Sequence, residues 1–384
     1  MGASDPGQLV DELRAAGLAA GLDAVGVAPA EPFAAARRTL EERKAAGLHG
    51  GMHFTYGDPG RSTDPSRILA GARALVVGAK SYLREQPPRS LDGEPAGRIA
   101  RYSWHDHYEP LRQALDAVAR RLTDGGWQAR VVADDNALVD REAAYRAGLG
   151  WYGKNANLLL PGRGSWFVLG TVVTDAPLPA TTKPMADGCG ACTRCLPACP
   201  TGAIVAPGVV DARRCLAWLL EAPGVFPLEH RVALGDRIYG CDDCQEACPP
   251  NRAAARHDPP PPADPGDEPW ADLLRLLASD DDSLLAQFGR WYIPRRQARY
   301  LRRNALIALA NTATGRGHEP AVGQALARAI ADKDPIVRAH AVWAAARLGR
   351  HDLLPEADPD PDVQAELAAV AAVAAVPAVG TAAP

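Results

Sequence analysis

The chain has 384 residues, 47% hydrophobic and 23% charged, which is the balance of a soluble globular protein with room for two or three domains. A formal net charge of −4 is wrong for a general polyanion binder, so any nucleic-acid contact must use a local basic patch. Met1–Leu13 has neither a basic n-region nor an apolar h-region, and a twin-arginine signal is absent. No apolar run reaches the ~18 residues of a membrane helix; Ala368–Pro384 comes closest and is broken by Pro377. These features predict a cytoplasmic protein, where clustered cysteines serve as metal ligands or catalysts rather than as disulfides.

Residues 1–180 read as an α/β domain. Leu9–Ala19 has apolar residues at helical spacing, Ala24–Ala28 reads as a short strand and Phe33–Ala46 as a charged helix. Ala74–Ala79 is a buried-strand candidate. Leu111–Leu122 is helical, Ala129–Ala133 a strand, Asp140–Ala147 helical, and Trp166–Thr174 a strand with a glycine in it. Strands alternating with helices predict an α/β sheet of undetermined strand order.

Residues 181–253 hold all eight cysteines and are rich in glycine and proline. A segment so poor in apolar runs needs a metal-based crosslink to fold. Residues 254–269 form a proline-rich linker, expected to be extended and stiff. Residues 270–352 read as helical, over Trp270–Leu277, Asp282–Phe288, Arg299–Asn311, Gly323–Ala331 and Pro335–Leu348. The last two form a hairpin whose Asp334-Pro335 start and Val337, Ala341, Ala344, Leu348 stripe resemble a HEAT repeat. Residues 353–384 are rich in alanine, proline and aspartate and are expected to be disordered.

Cys189-x2-Cys192-x2-Cys195-x3-Cys199-Pro200 matches the bacterial ferredoxin run, in which three close thiolates wrap one cubane and the fourth ligates the other cluster. Cys241-x2-Cys244-x3-Cys248-Pro249 is a shortened copy, and Cys215 supplies its missing ligand. Eight thiolates suit two 4Fe-4S clusters with none left over. The crossing rule assigns Cys189, Cys192, Cys195 and Cys248 to one cluster, and Cys199, Cys215, Cys241 and Cys244 to the other. Two structural zinc sites are the competing reading, but three cysteines within seven residues followed by Cys-Pro make an awkward tetrahedral cage.

Several separate motifs between about 20 and 350 resemble the epoxyqueuosine reductase family. The central one runs Ala133-Asp134-Asp135-Asn136, then Asp140-Arg141, then Ala147-Gly148-Leu149-Gly150-Trp151-Tyr152-Gly153-Lys154-Asn155. Gly164-Ser165-Trp166, Leu169-Gly170, Tyr239-Gly240-Cys241-Asp242-Asp243-Cys244-Gln245 and Leu301-Arg302-Arg303-Asn304-Ala305-Leu306 follow in the family's order. The resemblance implies reduction of epoxyqueuosine to queuosine at the wobble position of tRNA. It also implies cobalamin on the N-terminal domain, a ferredoxin-like two-cluster domain, and an external low-potential electron donor to a monomer.

By the same resemblance, Asp134 is the proton donor, and Arg61, Lys154, Asn155, Gly164, Ser165 and Gly170 join it around the cofactor. For Asp134 the competing role is a helix N-cap; for Lys154 and Asn155 it is a solvated surface pair. His105, His107 and Glu109 replace the family's glycine, aspartate and histidine around Tyr108, which leaves that segment's role open. Arg295, Arg296, Arg299, Arg302 and Arg303 form a basic cluster, read as a tRNA phosphate surface against the alternative of a solvated helix face. Two rivals stand beside this reading: a cobalamin-dependent reductive dehalogenase, and an electron-transfer protein without a substrate.

Overall fold

The computed structural model describes residues 5–88, 93–180 and 183–374. Among them no helix is long and apolar enough to cross a membrane. Contacts gather the chain into two compact units. One takes the chain up to Pro87, Arg101–Trp218 and Asp242–Asp267; the other takes Pro88–Ala100, Leu219–Cys241 and the chain from Glu268 onwards. These units cut across the boundaries expected from composition, because the cysteine-bearing segment is shared between them.

The first unit is built on a four-stranded sheet in the order Ala24–Pro29, Ala74–Ser81, Phe167–Thr174, Ala129–Ala133. All three pairings are antiparallel. The α/β expectation holds for content, and the sheet whose order it left open is antiparallel throughout. The apolar runs that resemble parallel strands arise because both faces are covered. Side chains alternate between two cores: Ala74 and Val76 pack with Leu13, Leu115 and Val118 on one face. Leu75, Val77 and Ala79 pack with Phe33, Ala143 and Ala147 on the other. Gly78 and Gly170 are paired across the two central strands. A Cβ on Gly170 would stand 2.6 Å from the Leu115 side chain, so this glycine admits the Tyr108–Asp124 helix onto the sheet.

The second unit is mostly helical. The Trp270–Leu277 segment, expected to be one helix, divides. Trp270–Asp272 pairs with the Ala96–Ile99 strand, and the helix runs over Leu273–Ala278. The Arg299–Thr312 helix is nearly enclosed. Arg303 is 1% exposed and donates to the carbonyls of Leu219, Leu220, Ala222 and Gly224, while Asn304 donates to those of Leu220 and Ile238. These bonds bind residues 219–238 to the helical unit.

The C-terminal segment is not disordered throughout, since Pro361–Ala374 is a helix. Its Val363 packs with Ala339 and Val342, and its Glu366 pairs with Arg231 at 2.8 Å. Alanine-rich composition concealed one buried valine and one buried ion pair at helical spacing. Residues 375–384 of that tail lie outside the described residues.

Both partners of the Arg231–Glu366 pair are almost fully buried. Removing one strands the other's charge in the interior. Glu366→Ala should therefore destabilise the fold by about 3 kcal/mol, measured as a lowered urea midpoint by circular dichroism.

Candidate redox site

Asp134 follows the Ala129–Ala133 strand directly, in the left-handed region at φ 54°. An aspartate tolerates that region better than most residues. The next helix starts at Asp140 and is capped by Val139 without a side-chain bond, so Asp134 is not a helix N-cap. Its side chain reaches solvent, yet surrounding protein still raises its pKa. Partial burial is the main cause; Arg112 opposes it, and Asp106 and Asp135 add to it. The result is a carboxyl at a strand end that holds its proton to higher pH than a free aspartate.

Two neighbours from the same end were not singled out as site residues in the sequence. Asp140 is shifted well upward, first by burial and then by Asp134. The phenol of Tyr108, also held protonated by burial, lies in the field of both aspartates. Arg112 places its guanidinium 5.8 Å from the Tyr108 ring and donates to the Ala133 carbonyl. The Arg61 turn belongs to this end as well, because the Val139 N–H donates to the Ser62 carbonyl at 2.9 Å. Arg61 itself is exposed. His107 is buried with Nε2 unpartnered and its pKa lowered by burial, which keeps the imidazole neutral. His105 is exposed beside it, ring to ring at 6.0 Å.

The other expected cofactor contacts serve different ends. Lys154 Nζ donates to the carbonyl of Gly190, between Cys189 and Cys192, at 2.6 Å. Asn155 is buried and donates to the Cys244 carbonyl. The pair is therefore not a solvated surface pair; both residues hold cysteine loops. Gly164, at φ 74°, faces Asn251 so closely that a Cβ would overlap its side chain. Ser165 donates its N–H to Asn251 Oδ1 at 2.6 Å, and its Oγ accepts from Asn251 and Gln245. Gly164, Ser165 and Gly170 are thus interior packing positions rather than cofactor contacts. The motif signalled a constraint without revealing which.

The cysteine loops are tightly tied. Gln245 donates to the Tyr82 hydroxyl and to Ser165, and Arg101 pairs with Glu246 at 2.8 Å while lying over the Trp104 and Trp166 rings. The Cys195–Ala198 and Asp243–Glu246 helical turns pack together. The thiol of Cys248 is pushed up to about 11, by burial and then by the thiols of Cys189, Cys195 and Cys192. Cys244 is raised too, by burial and then by Cys215 and Cys199. Thiols that suppress each other's ionisation in this way are stabilised as thiolates by a cationic iron centre. All eight cysteines are free. Among the described residues no three metal-ligating side chains converge on a single ion. Cubane thiolates each bind a separate iron and stand further apart than the four ligands of one zinc.

The basic cluster separates. Arg303 is buried and its pKa is lowered to about 9 by desolvation, so it is not a tRNA contact. Arg299 pairs with Asp334 and Arg302 with Asp281. Arg295 and Arg296 are exposed, both at positive φ, close in sequence to Tyr292, which is 55% exposed.

Comparison with known proteins places the cysteine segment and the whole chain in a family. Residues 188–251 match the family model of the 4Fe-4S double cluster binding domain. An epoxyqueuosine reductase of Bacillus cereus is 32% identical over 89% of this chain and 90% of its own length. That of Xanthomonas campestris pv. campestris is 35% identical over 90% of this chain and 98% of its own length. A crystal structure of epoxyqueuosine reductase with a tRNA-Tyr epoxyqueuosine-modified stem loop superposes with a TM-score of 0.84 at 30% identity, over 94% of this chain and 98% of that one. The enzyme from Streptococcus thermophilus gives 0.82 at 29% identity, with the same coverage. The chain belongs to the epoxyqueuosine reductase family.

Proposed function

We propose that this chain is an oxidoreductase that reduces epoxyqueuosine to queuosine at the wobble position of a tRNA. The observation that carries the reading is that one compact unit holds both a carboxyl of raised pKa at a strand end and seven of the eight cysteines. The first supplies an acid, and the second a place for electrons.

Two 4Fe-4S clusters fit the cysteines. Cys248 feels Cys189, Cys195 and Cys192, while Cys244 feels Cys215 and Cys199 first and Cys195 less, and Cys241 lies three residues before Cys244. This grouping supports the crossed assignment, with an external low-potential carrier refilling the clusters. Cobalamin is the second cofactor of the reading. Arg61 and Asp134 fit such an amide-rich ligand, because their polar heads face solvent at one end of the sheet. Bound there, cobalamin would supply a cobalt centre able to take electrons singly and act on the epoxide carbon–oxygen bonds. Asp134 delivers the proton to the departing oxygen, and Arg112 limits how far its pKa rises. For tRNA, the reading keeps Arg295 and Arg296 as phosphate contacts, on a helical unit whose Pro320–Ile330 and Pro335–Arg347 hairpin is HEAT-like.

Four outcomes test this. Asp134→Asn should lower single-turnover reduction of epoxyqueuosine-bearing tRNA by roughly 10²–10⁴ while cluster absorbance is kept. Wild-type rates should fall as pH rises through the raised carboxyl pKa, because only the protonated form donates. A Cys189→Ala/Cys248→Ala double variant should retain one complete cluster by iron analysis and Mössbauer spectroscopy. Uncrossed ligation would leave none. Arg295→Ala/Arg296→Ala should weaken tRNA binding and flatten its log–log salt dependence by about one unit per lost phosphate contact, read by titration at several salt concentrations.

A further inference from the structure

Tyr292 stands apart from the other aromatic residues around it in the helical unit. Its side chain is 55% exposed, whereas Phe288, Trp291, Tyr300 and Tyr239 are all buried. Its backbone is nevertheless fixed. The Tyr292 N–H donates to the Tyr239 hydroxyl at 2.8 Å. Trp291 stacks on Tyr239 with ring centres 4.4 Å apart and on Phe288 at 4.5 Å. On the other side, Ile293 and Pro294 are buried as well. Among the described residues, the Tyr292 phenol makes no hydrogen bond and its ring meets no other ring. A lone exposed apolar side chain is ordinary on a protein surface. An aromatic ring presented to solvent from an immobile mount, where a polar side chain would cost the fold nothing, is a different case.

Two cations share the turn that follows. Arg295 and Arg296 are exposed, at φ 51° and 52°. Both occupy left-handed backbone that glycine would adopt at lower cost. The turn is closed by the Arg296 N–H on the Ile293 carbonyl at 2.8 Å and by the Gln297 N–H on the Pro294 carbonyl at 3.1 Å. Arg296 Nη1 also donates to the Gly289 carbonyl at 3.0 Å, which folds this side chain back toward the residues before Tyr292. Tyr292 and Arg295 are three positions apart, so their Cα atoms lie within about 11 Å. Among the described residues neither guanidinium pairs with a carboxylate, whereas Arg299 pairs with Asp334 and Arg302 with Asp281. In a chain of net charge −4, two uncompensated cations beside an open aromatic face form a local exception. That combination is how proteins hold single-stranded nucleic acid: bases stack on the ring while the cations follow the phosphates.

We propose that Tyr292 is a stacking platform for an unpaired base of the substrate tRNA, with Arg295 and Arg296 on the phosphates beside that base. The inference rests on the tRNA reading above and adds a base contact to it. Phosphate contacts alone hold a stem and a loop alike. A ring that needs a free base face selects the loop, and it does so without reading sequence, because every base has such a face. The fixed backbone means that little order has to be gained on binding.

The test is a fluorescence titration of the full-length, cluster-reconstituted chain with an epoxyqueuosine-bearing anticodon stem-loop and with a blunt RNA duplex of equal length. Tyr292→Ala and Tyr292→Leu should each weaken stem-loop binding by about 5- to 150-fold and leave duplex binding unchanged. Tyr292→Trp, which keeps an aromatic face, should bind the stem-loop as the wild type does. The salt slope should stay the same in all three variants, because a stacking contact releases no counterions. An unmoved urea midpoint and unchanged cluster absorbance separate lost stacking from lost folding. Wild-type affinity for the stem-loop in Tyr292→Leu, or an equal loss on stem-loop and duplex, would overturn the proposal. If the stem-loop needs Tyr292 to bind but is not reduced, the reading of function fails and the platform stands. If it is reduced and Tyr292→Ala binds it normally, the platform fails and the reading of function stands.

Discussion

A buried polar network fixes the cysteine loops to the first unit's sheet. Asn251 reaches into Gly164-Ser165, Gln245 bonds Ser165 and Tyr82, and Asn155 holds the Cys244 carbonyl. The cysteine loops are too short and too rich in glycine and proline to build their own core. Hydrogen bonds to a rigid sheet replace that core. Each bond contributes about 1 kcal/mol, but losing a partner costs more, because the remaining buried group cannot return to water. The network is thus cooperative, and it orients Cys244 and Cys248 through neighbours in sequence.

The same end of that sheet is also organised by charge. Burial raises the acids Asp134 and Asp140, and the cations Arg112 and Arg141 limit the rise. A free carboxyl would be ionised at neutral pH and unable to donate. Partial burial with an open tip gives Asp134 both a raised pKa and access to solvent. Asp134 stands in left-handed backbone at the strand terminus, where the chain leaves the sheet. The strain is tolerated where the side chain has to point out of the layer.

Much of this was legible in the sequence. Strand Ala129–Ala133 and the start of the Asp140 helix were placed to the residue, because apolar runs and turn residues bound them. The cysteine spacing pointed to two clusters, since close thiolates in that rhythm suit cubanes. Strand direction was not legible, because a sheet covered on both faces erases the alternation that marks antiparallel strands. Gly164, Ser165 and Gly170 were misread because a motif records a constraint, not its kind; an Asn251 oxygen or a Leu115 methyl forbids a side chain as firmly as a cofactor does. Arg303 was misread because arginine is seldom fully buried, and its four carbonyl partners lie some 80 residues away. Asp140 was hidden in plain view, since a first-turn aspartate looks like ordinary helix chemistry.

This fold joins an acid of raised pKa at a strand end to a two-cluster electron supply, the two resources needed to remove an epoxide oxygen from a tRNA nucleoside. That removal is tested most directly by mass spectrometry of the wobble nucleoside in tRNA from cells lacking this chain. The account predicts accumulation of epoxyqueuosine, reversed by the wild-type chain and not by Asp134→Asn. An unchanged level of queuosine in those cells would contradict it.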